Sequence, residues 1–207
     1  MKKVIVLVSA SVLLLSSVAV AGNGKGSNFG SFATASARGM GEGSFTLGVG
    51  IADQNLVLGI FNYGLSRFTE GSIKLALVDF DGKNNDNVEF AIGADFRHQF
   101  MVVDAVSKSP FDMAVGAFFE IVNPGSSILQ FGGKLIGSYP VRLNSGKILT
   151  PYGRFNARLE NVNDNSELEF GFNMGVSWSL TGSVKLFGEF QFDGNDGISL
   201  GVDLQAL

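Results

Sequence analysis

Apolar residues recur at every second position along most of the chain from Gly43 onward. The stretch from Glu167 to Leu180 shows this most clearly, because large apolar residues alternate there with Glu, Gly, Asn and Ser. A period of two places the two sets on opposite faces of a β-strand, whereas helical geometry would scatter them around a cylinder. The pattern therefore predicts an all-β fold.

Segments rich in Asn, Asp, Gly, Ser and Pro interrupt the alternation at regular intervals and predict turns. Counting the runs between them predicts about ten strands. Eight is the alternative if the stretch 55–63, where the alternation blurs, is not part of the wall. The predicted strands cover 44–52, 55–63, 71–80, 87–103, 111–122, 127–142, 148–160, 167–180, 183–193 and 197–206.

Charged residues test the alternation, because the phase of each strand is set from apolar residues alone. Fifteen charges of these strands fall on the polar phase, and seven bases against eight acids can neutralise one another. They are Glu167 and the fourteen residues that we expect to form a structural ion-pair network: Lys74, Glu89, Asp95, Arg97, Glu120, Lys134, Arg142, Arg154, Arg158, Glu160, Glu169, Lys185, Glu189 and Asp203.

Alternation alone does not say whether the apolar face lines a core, as in a lipocalin, or faces lipid, as in a membrane barrel. The polar face carries many glycines, which suit a crowded lumen and would weaken a solvent-facing strand. Eleven residues at about 3.3 Å each, tilted by about 40°, rise roughly 28 Å, close to the apolar band of such a barrel. We therefore expect a closed antiparallel up-and-down transmembrane β-barrel, with Arg158 opposite or diagonal to Glu169.

The amino terminus has the features of a secretory signal peptide. A basic start at Lys2 and Lys3 precedes an apolar run, and Ala19-Val20-Ala21 fits a small-residue cleavage site. The predicted organisation is a signal peptide at 1–21, a flexible Gly/Ser-rich leader at 22–42 and a barrel at 43–207. This organisation predicts export across the inner membrane of a bacterium.

The stretch from Met174 to Phe190 resembles a hairpin across a short periplasmic turn in the small outer-membrane β-barrel family that includes the OmpA membrane domain and OmpX. The family's carboxy-terminal assembly signal maps onto Ser199, Gly201, Leu204 and Ala206, although the usual final aromatic residue is missing. The resemblance implies handling by periplasmic chaperones and the barrel-insertion machinery. It also implies both termini in the periplasm and contact with outer-membrane lipid and lipopolysaccharide.

The composition argues against several kinds of catalytic and metal-binding site. The chain has no Cys and one His, His98, which lies between Phe96 and Phe100 on the apolar phase and suits a position near lipid headgroups. Without thiolates, histidine clusters or a calcium-loop pattern, we expect no metal site, no cofactor and no catalytic residues. A formal charge of −4 gives no electrostatic footprint for nucleic acid.

These observations favour a non-enzymatic outer-membrane barrel, expected to be monomeric, with a largely filled polar lumen and a structural role in the envelope. A narrow porin or small-solute transporter is the first alternative. A soluble periplasmic lipocalin-like carrier is the second, and a barrel-embedded lipid-modifying enzyme is less favoured.

Overall fold

The computed structural model describes residues 32–52, 55–82, 85–103, 111–122, 128–162, 165–194 and 196–206, and the predicted signal peptide lies outside them. Most of the described residues form β-strands, as the alternating pattern predicts. The strands are β1 (Gly43–Ala52), β2 (Asn55–Ser66), β3 (Thr69–Gly82), β4 (Asn85–Met101), β5 (Asp112–Val122), β6 (Ile128–Ser138), β7 (Val141–Arg142), β8 (Ile148–Val162), β9 (Asn165–Ser179), β10 (Val184–Phe192) and β11 (Gly197–Gln205).

Ten of these strands close into a single antiparallel barrel. Each pairs with its neighbour in the chain, except that β6 pairs with β8, and the ring closes where β1 pairs with β11. The two-residue strand β7 pairs with β8 and lies outside the closed wall. The prediction of a closed, up-and-down barrel of ten strands is confirmed.

The stretch predicted as one strand over 127–142 is divided in the structure. β6 ends at Ser138, two residues before Pro140, which has no N–H to donate to a strand ladder. The chain then forms β7, and Arg142 on it is exposed. The prediction that Arg142 lies in the lumen is therefore wrong, because the wall ends before the chain reaches it.

The wall is polar inside and apolar outside. On β3, Lys74 faces the interior with 1 % of its surface exposed, whereas its neighbour Leu75 faces outward with 47 % exposed. Strand alternation produces this contrast on most of the ring. On β2, however, Leu56, Leu58 and Ile60 face inward and form a buried apolar cluster together with Phe32. None of the described residues forms a helix long and apolar enough to cross a membrane.

The two ends of the barrel differ in what they carry. We call the end where β1 begins and β11 stops the terminal end; it also carries the Arg67–Phe68 turn and the connection 139–147. The opposite end, where β1 passes into β2 and β10 into β11, is the distal end.

Candidate functional site

Residues 32–42 precede β1, and we call them the luminal segment; 32–39 are buried or partly buried inside the barrel, and 40–42 are exposed at its terminal end. Four consecutive residues each bond to a different wall strand, moving from β6 to β3 around the terminal end. The bonds are Ala35 N to Ser138 Oγ at 3.1 Å, Ser36 Oγ to Asp112 Oδ2 at 2.8 Å, Ala37 N to Gln99 Oε1 at 3.0 Å and Arg38 N to Glu70 Oε2 at 3.1 Å.

The start of the segment lies on the opposite side of the lumen. Phe32, which is 4 % exposed, packs against Phe187 of β10 with ring centroids 6.0 Å apart. It also occupies the space in front of Gly48 and Gly201, which pair across β1 and β11; a Cβ on Gly48 would lie 2.3 Å from the Phe32 ring. Three residues later Ala35 reaches β6, five strands around the ring from β1, so the segment crosses the lumen.

Arg38 connects the segment to two acidic residues of the wall. Its guanidinium Nη2 lies 2.8 Å from Asp203 Oδ2, and its Nε lies 3.5 Å from Glu70 Oε2. Both acids also have partners of their own on the wall. Glu70 Oε1 pairs with Arg97 at 2.7 Å, and Asp203 Oδ1 accepts hydrogen bonds from Ser44 and Thr46.

A tight turn takes the luminal segment into β1. Glu42 N donates to Gly39 O at 3.0 Å, and Gly39 N donates to Glu42 Oε2 at 3.1 Å. Gly41 has a φ of 82°, in the left-handed region that favours glycine. Gly64 of β2 then holds the turn, because its O accepts from Gly41 N and its N donates to Glu42 O.

The prediction of a flexible leader over 22–42 does not hold for 32–42. This part contacts the wall strand by strand, with Ala35 fully buried. Its small residues allow the backbone to approach the wall closely, while Phe32 and Arg38 supply the specific contacts. Residues 22–31 lie outside the described residues.

A first wall cluster joins β3 to β6 near mid-height. Asp95 accepts from Lys74 at 3.1 Å and from Lys134 at 2.5 Å, and Lys74 also pairs with Glu120. Lys74 lies 5.9 Å from the centroid of the Phe118 ring, which adds a cation–π contact. All four charged groups are buried and have lost their hydrating water, so the free energy of that loss must be offset by their ion-pair partners.

A second wall cluster covers β8 to β10. Glu189 receives Arg154 at 3.0 Å, the Tyr152 hydroxyl at 2.7 Å and Asn173 Nδ2 at 3.2 Å. Gln191 Nε2 donates to the same carboxylate at 3.1 Å. Charge-assisted hydrogen bonds of this kind satisfy a buried carboxylate without a second base.

Arg158 takes a different partner from the one expected. The register places it opposite Glu169, but its guanidinium reaches Glu160 Oε2 at 3.4 Å and Asp193 O at 2.6 Å. Asp193 lies in the turn after β10, outside the strands. Burial raises the pKa of the Asp193 carboxyl to about 6, against the lowering effect of the Arg158 and Arg154 charges.

Ten of the fourteen residues predicted for the ion-pair network are found in ion pairs within the described part of the chain. Glu89, Glu169 and Lys185 are partly exposed, and Lys185 stands opposite Asp203 in the register. Sequence reasoning missed Arg38 and Glu70. Glu70 shares the phase of Lys74 and would follow from extending that strand by one residue, whereas no periodic signal marks Arg38.

The predicted assembly-signal residues fall on both faces of the last strand and beyond it. Ser199 and Gly201 face the lumen, Leu204 faces outward, and Ala206 follows the end of β11. His98 is exposed on the outer face, with Nδ1 3.0 Å from Thr69 Oγ1. Among the residues that the structure describes, no group of three or more His, Cys, Asp or Glu could hold a metal ion.

A cavity of about 490 Å³ lies at the terminal end beside the luminal segment. Ser36 of the segment lines it together with Gln99 and Asp112 of the wall and with Arg67 and Arg142 at the rim. The segment is therefore reachable from the terminal end, while Phe32 stays covered deeper in the lumen.

No protein-family model matches the sequence, and no curated protein matches it. Three solved structures share a distant likeness. The KdgM porin has a TM-score of 0.46 at 11 % identity, over 79 % of this chain and 99 % of that one. The β domain of the Bordetella autotransporter BrkA has a TM-score of 0.48 at 10 % identity, over 80 % of this chain and 98 % of that one. The N-terminal β-barrel domain of Pseudomonas aeruginosa OprF has a TM-score of 0.37 at 12 % identity, over 82 % of this chain and 100 % of that one.

Proposed function

We propose that this protein is a non-enzymatic integral β-barrel of the bacterial outer membrane, with a structural role in the envelope. The observation that carries the proposal is the reversed polarity of the wall. Large apolar side chains such as Leu75 and Phe131 are about half exposed around the outside, while Lys74 and Arg154 are 1 % exposed inside. A protein dissolved in water would bury the first set and hydrate the second.

The closed ring supports a membrane setting. Lipid offers no hydrogen bonds to the backbone, so a sheet can span it only if no edge strand is left unpaired. Here β1 pairs with β11 and β6 pairs with β8, so every strand of the ring has two neighbours. Even strand number and antiparallel order are the features of outer-membrane barrels.

The lumen supports a structural role more than transport. The luminal segment crosses it, and the two wall clusters place charged side chains into it from most of the strands. A barrel of ten strands has little interior width to spare once these groups are in place. The chain would thus be closed to solutes in the state described.

Lipid on the outer face, including lipopolysaccharide, would be the main partner in this setting. The barrel-insertion machinery and periplasmic chaperones would act on the chain before it folds, with the terminal end in the periplasm. We propose no nucleic-acid partner, no cofactor and a monomeric barrel.

Two measurements on one detergent-purified sample test the proposal. A resistant closed barrel should migrate faster in gel electrophoresis before heating than after, and cell fractionation should place the protein with outer-membrane markers. A chain that stays monodisperse in buffer without detergent would contradict the proposal. Conductance of the wild-type barrel in planar bilayers would support the narrow-porin alternative instead.

A further inference from the structure

We propose that the luminal segment is a releasable plug, and that the barrel conducts ions once the segment leaves the lumen. This inference rests on the proposed membrane-spanning barrel and goes beyond its structural role. It assigns to residues 32–42 a gating function and to the terminal half of the lumen a site for an extended peptide.

The wall closes without the segment. All ten strands of the ring are paired with one another, and residues 32–42 contribute no strand to the sheet. The segment is held by one hydrogen bond per residue from 35 to 38, by the bond from Arg97 to Thr34 O, by the Arg38 ion pairs and by the packing of Phe32 in the apolar cluster. None of these contacts belongs to the strand ladder that closes the ring, so the segment can leave while the barrel stays intact.

The buried carboxylates of the wall each keep at least one partner without the segment. Asp95 retains Lys74 and Lys134, and Glu189 retains Arg154. Removing Arg38 leaves Glu70 with Arg97. Asp203 loses its Arg38 ion pair but keeps the hydroxyl donors of Ser44 and Thr46 and stands opposite Lys185 in the register. Release therefore leaves each of these carboxylates with a hydrogen-bond donor, which limits the cost of removing the segment.

The wall clusters run along the inner surface, whereas the segment runs across it. Lys74, Lys134 and Arg154 each pair with acids on strands that are adjacent or two apart in the ring. The segment instead joins Gly48 of β1 to Ser138 of β6, on opposite sides. Its departure would remove the main connection across the middle of the lumen.

The inner surface of β8 to β10, away from the segment, carries polar atoms that water could hydrate. Four buried side chains carry polar atoms that have no hydrogen-bond partner among the described residues: the amide of Asn156, Oδ1 of Asn173, Oε1 of Gln191 and Oδ1 of Asp193. All four residues lie on the β8 to β10 side toward the distal end or at mid-height. Buried polar atoms of this kind are normally satisfied by water, so this side offers a hydrated path.

The turn at 39–42 provides a hinge between the segment and β1. Gly39 and Gly41 lack side chains, and Gly41 already adopts a positive φ. Rotation there would swing the segment toward the cavity at the terminal end without disturbing the pairing of β1.

Charge reversal of Arg38 tests the proposal on the chain lacking only its predicted signal peptide. Arg38→Glu would place a carboxylate against Glu70 and Asp203 and should expel the segment. Lys147→Glu makes the same charge change in the connection 139–147 at the terminal end, at a residue that does not line the cavity, and is the matched control. Each variant is studied in planar bilayers and by heat-modifiable migration, so barrel integrity is read separately from conductance.

A cysteine at position 35 reports release directly, because the chain has no Cys of its own. Ala35→Cys should be protected from a maleimide reagent in the otherwise unchanged barrel, and labelled at least tenfold faster when combined with Arg38→Glu. The fraction of inserted barrels that conduct should also rise at least tenfold with Arg38→Glu and remain at the wild-type level with Lys147→Glu.

A synthetic peptide of residues 22–42 should close the Arg38→Glu pore when added at the terminal end, and the same peptide carrying Arg38→Glu should not. A heat-resistant Arg38→Glu barrel in which the cysteine at position 35 is labelled as slowly as in the parent would overturn the proposal that the segment is released. Fast labelling without conductance would overturn the proposal that the emptied barrel conducts ions. Loss of heat-modifiable migration in the wild type would instead overturn the membrane barrel itself.

Discussion

The carbonyl oxygen of Gly39 lies 1.9 Å from where a Cβ would stand on Gly64. The close approach brings the luminal turn against β2, where Gly64 exchanges backbone hydrogen bonds with Gly41 and Glu42. A glycine at position 64 is therefore required by the segment inside the barrel as well as by the strand that carries it.

Gly64→Ala should destabilise the folded barrel by about 1–3 kcal/mol, because the added methyl group cannot be accommodated without moving the turn. Gly59→Ala on the same strand is the control, since its Cβ would meet its nearest neighbour, Phe45 Cζ, at an ordinary 3.4 Å. Urea unfolding in detergent, followed by the fluorescence of the single Trp178, measures both. Equal stability of the two variants would contradict the close approach.

Lys74→Met should destabilise the barrel by about 3–5 kcal/mol, because it removes the cation that joins two buried carboxylates. Asp95 keeps Lys134, so we expect Glu120 to account for most of the loss. Arg142→Met, on the exposed β7, should change the unfolding free energy by less than about 0.5 kcal/mol. The same urea titration compares the two substitutions, and similar costs would mean that the cluster is not sealed from water.

Leu75→Arg tests the outward face. Leu75 lies at mid-strand with its side chain exposed, and arginine at the centre of a lipid-facing band costs about 2–4 kcal/mol. Val141→Arg, on β7 outside the wall, should cost far less. Refolding into lipid vesicles at graded urea concentrations gives the two values. An outer face surrounded by water would tolerate both substitutions equally.

The buried carboxyl of Asp193 predicts that the free energy of unfolding depends on pH. Burial raises the pKa of its carboxyl to about 6 from an ordinary value of 3.8, so the folded barrel holds the proton more tightly than the unfolded chain. This contribution to stability is fully present below the unfolded value and disappears as the pH rises through the folded one.

Asp193→Asn mimics the protonated form and removes this dependence. Between pH 4.5 and pH 8, the unfolding free energy of the variant should rise relative to that of the wild type by about 2 kcal/mol, since one pKa unit corresponds to about 1.4 kcal/mol. Denaturation at the two pH values provides the measurement. A constant difference would show that the carboxyl titrates normally.

The wall could be predicted from the sequence because its signal is periodic. The alternation from Glu167 to Leu180 corresponds to β9, and the charges on the polar phase face inward on Arg154 and Glu189. The pairing register of β8 and β9 could also be predicted, since Arg158 and Glu169 do stand opposite one another. The ion-pair partner of Arg158 could not be predicted, because its long side chain can reach several acids.

The luminal segment could not be predicted because its contacts have no period. Consecutive residues of the segment bond to consecutive wall strands and not to one face, so no regular spacing of apolar or polar residues marks the segment in the sequence. The signals that exist are indirect: Gly48, Gly64 and Gly201 on the inner face leave room for something that the strands themselves do not supply. Only the closed structure shows that Phe32 and Gly39 fill it.

The strands of the ring are unequal in length, and the shape of the rim follows from this. β3 and β4 have 14 and 17 residues, and β8 and β9 have 15 each, while β1, β10 and β11 have ten or nine. At the distal end β3 and β4 stay paired out to Gly82 and Asn85, past the last pair of β3 with β2 at Asp79 and of β4 with β5 at Ala91. Within the described residues this part of the hairpin has no neighbouring strand on either side, so it projects from the closed ring as a two-stranded ribbon.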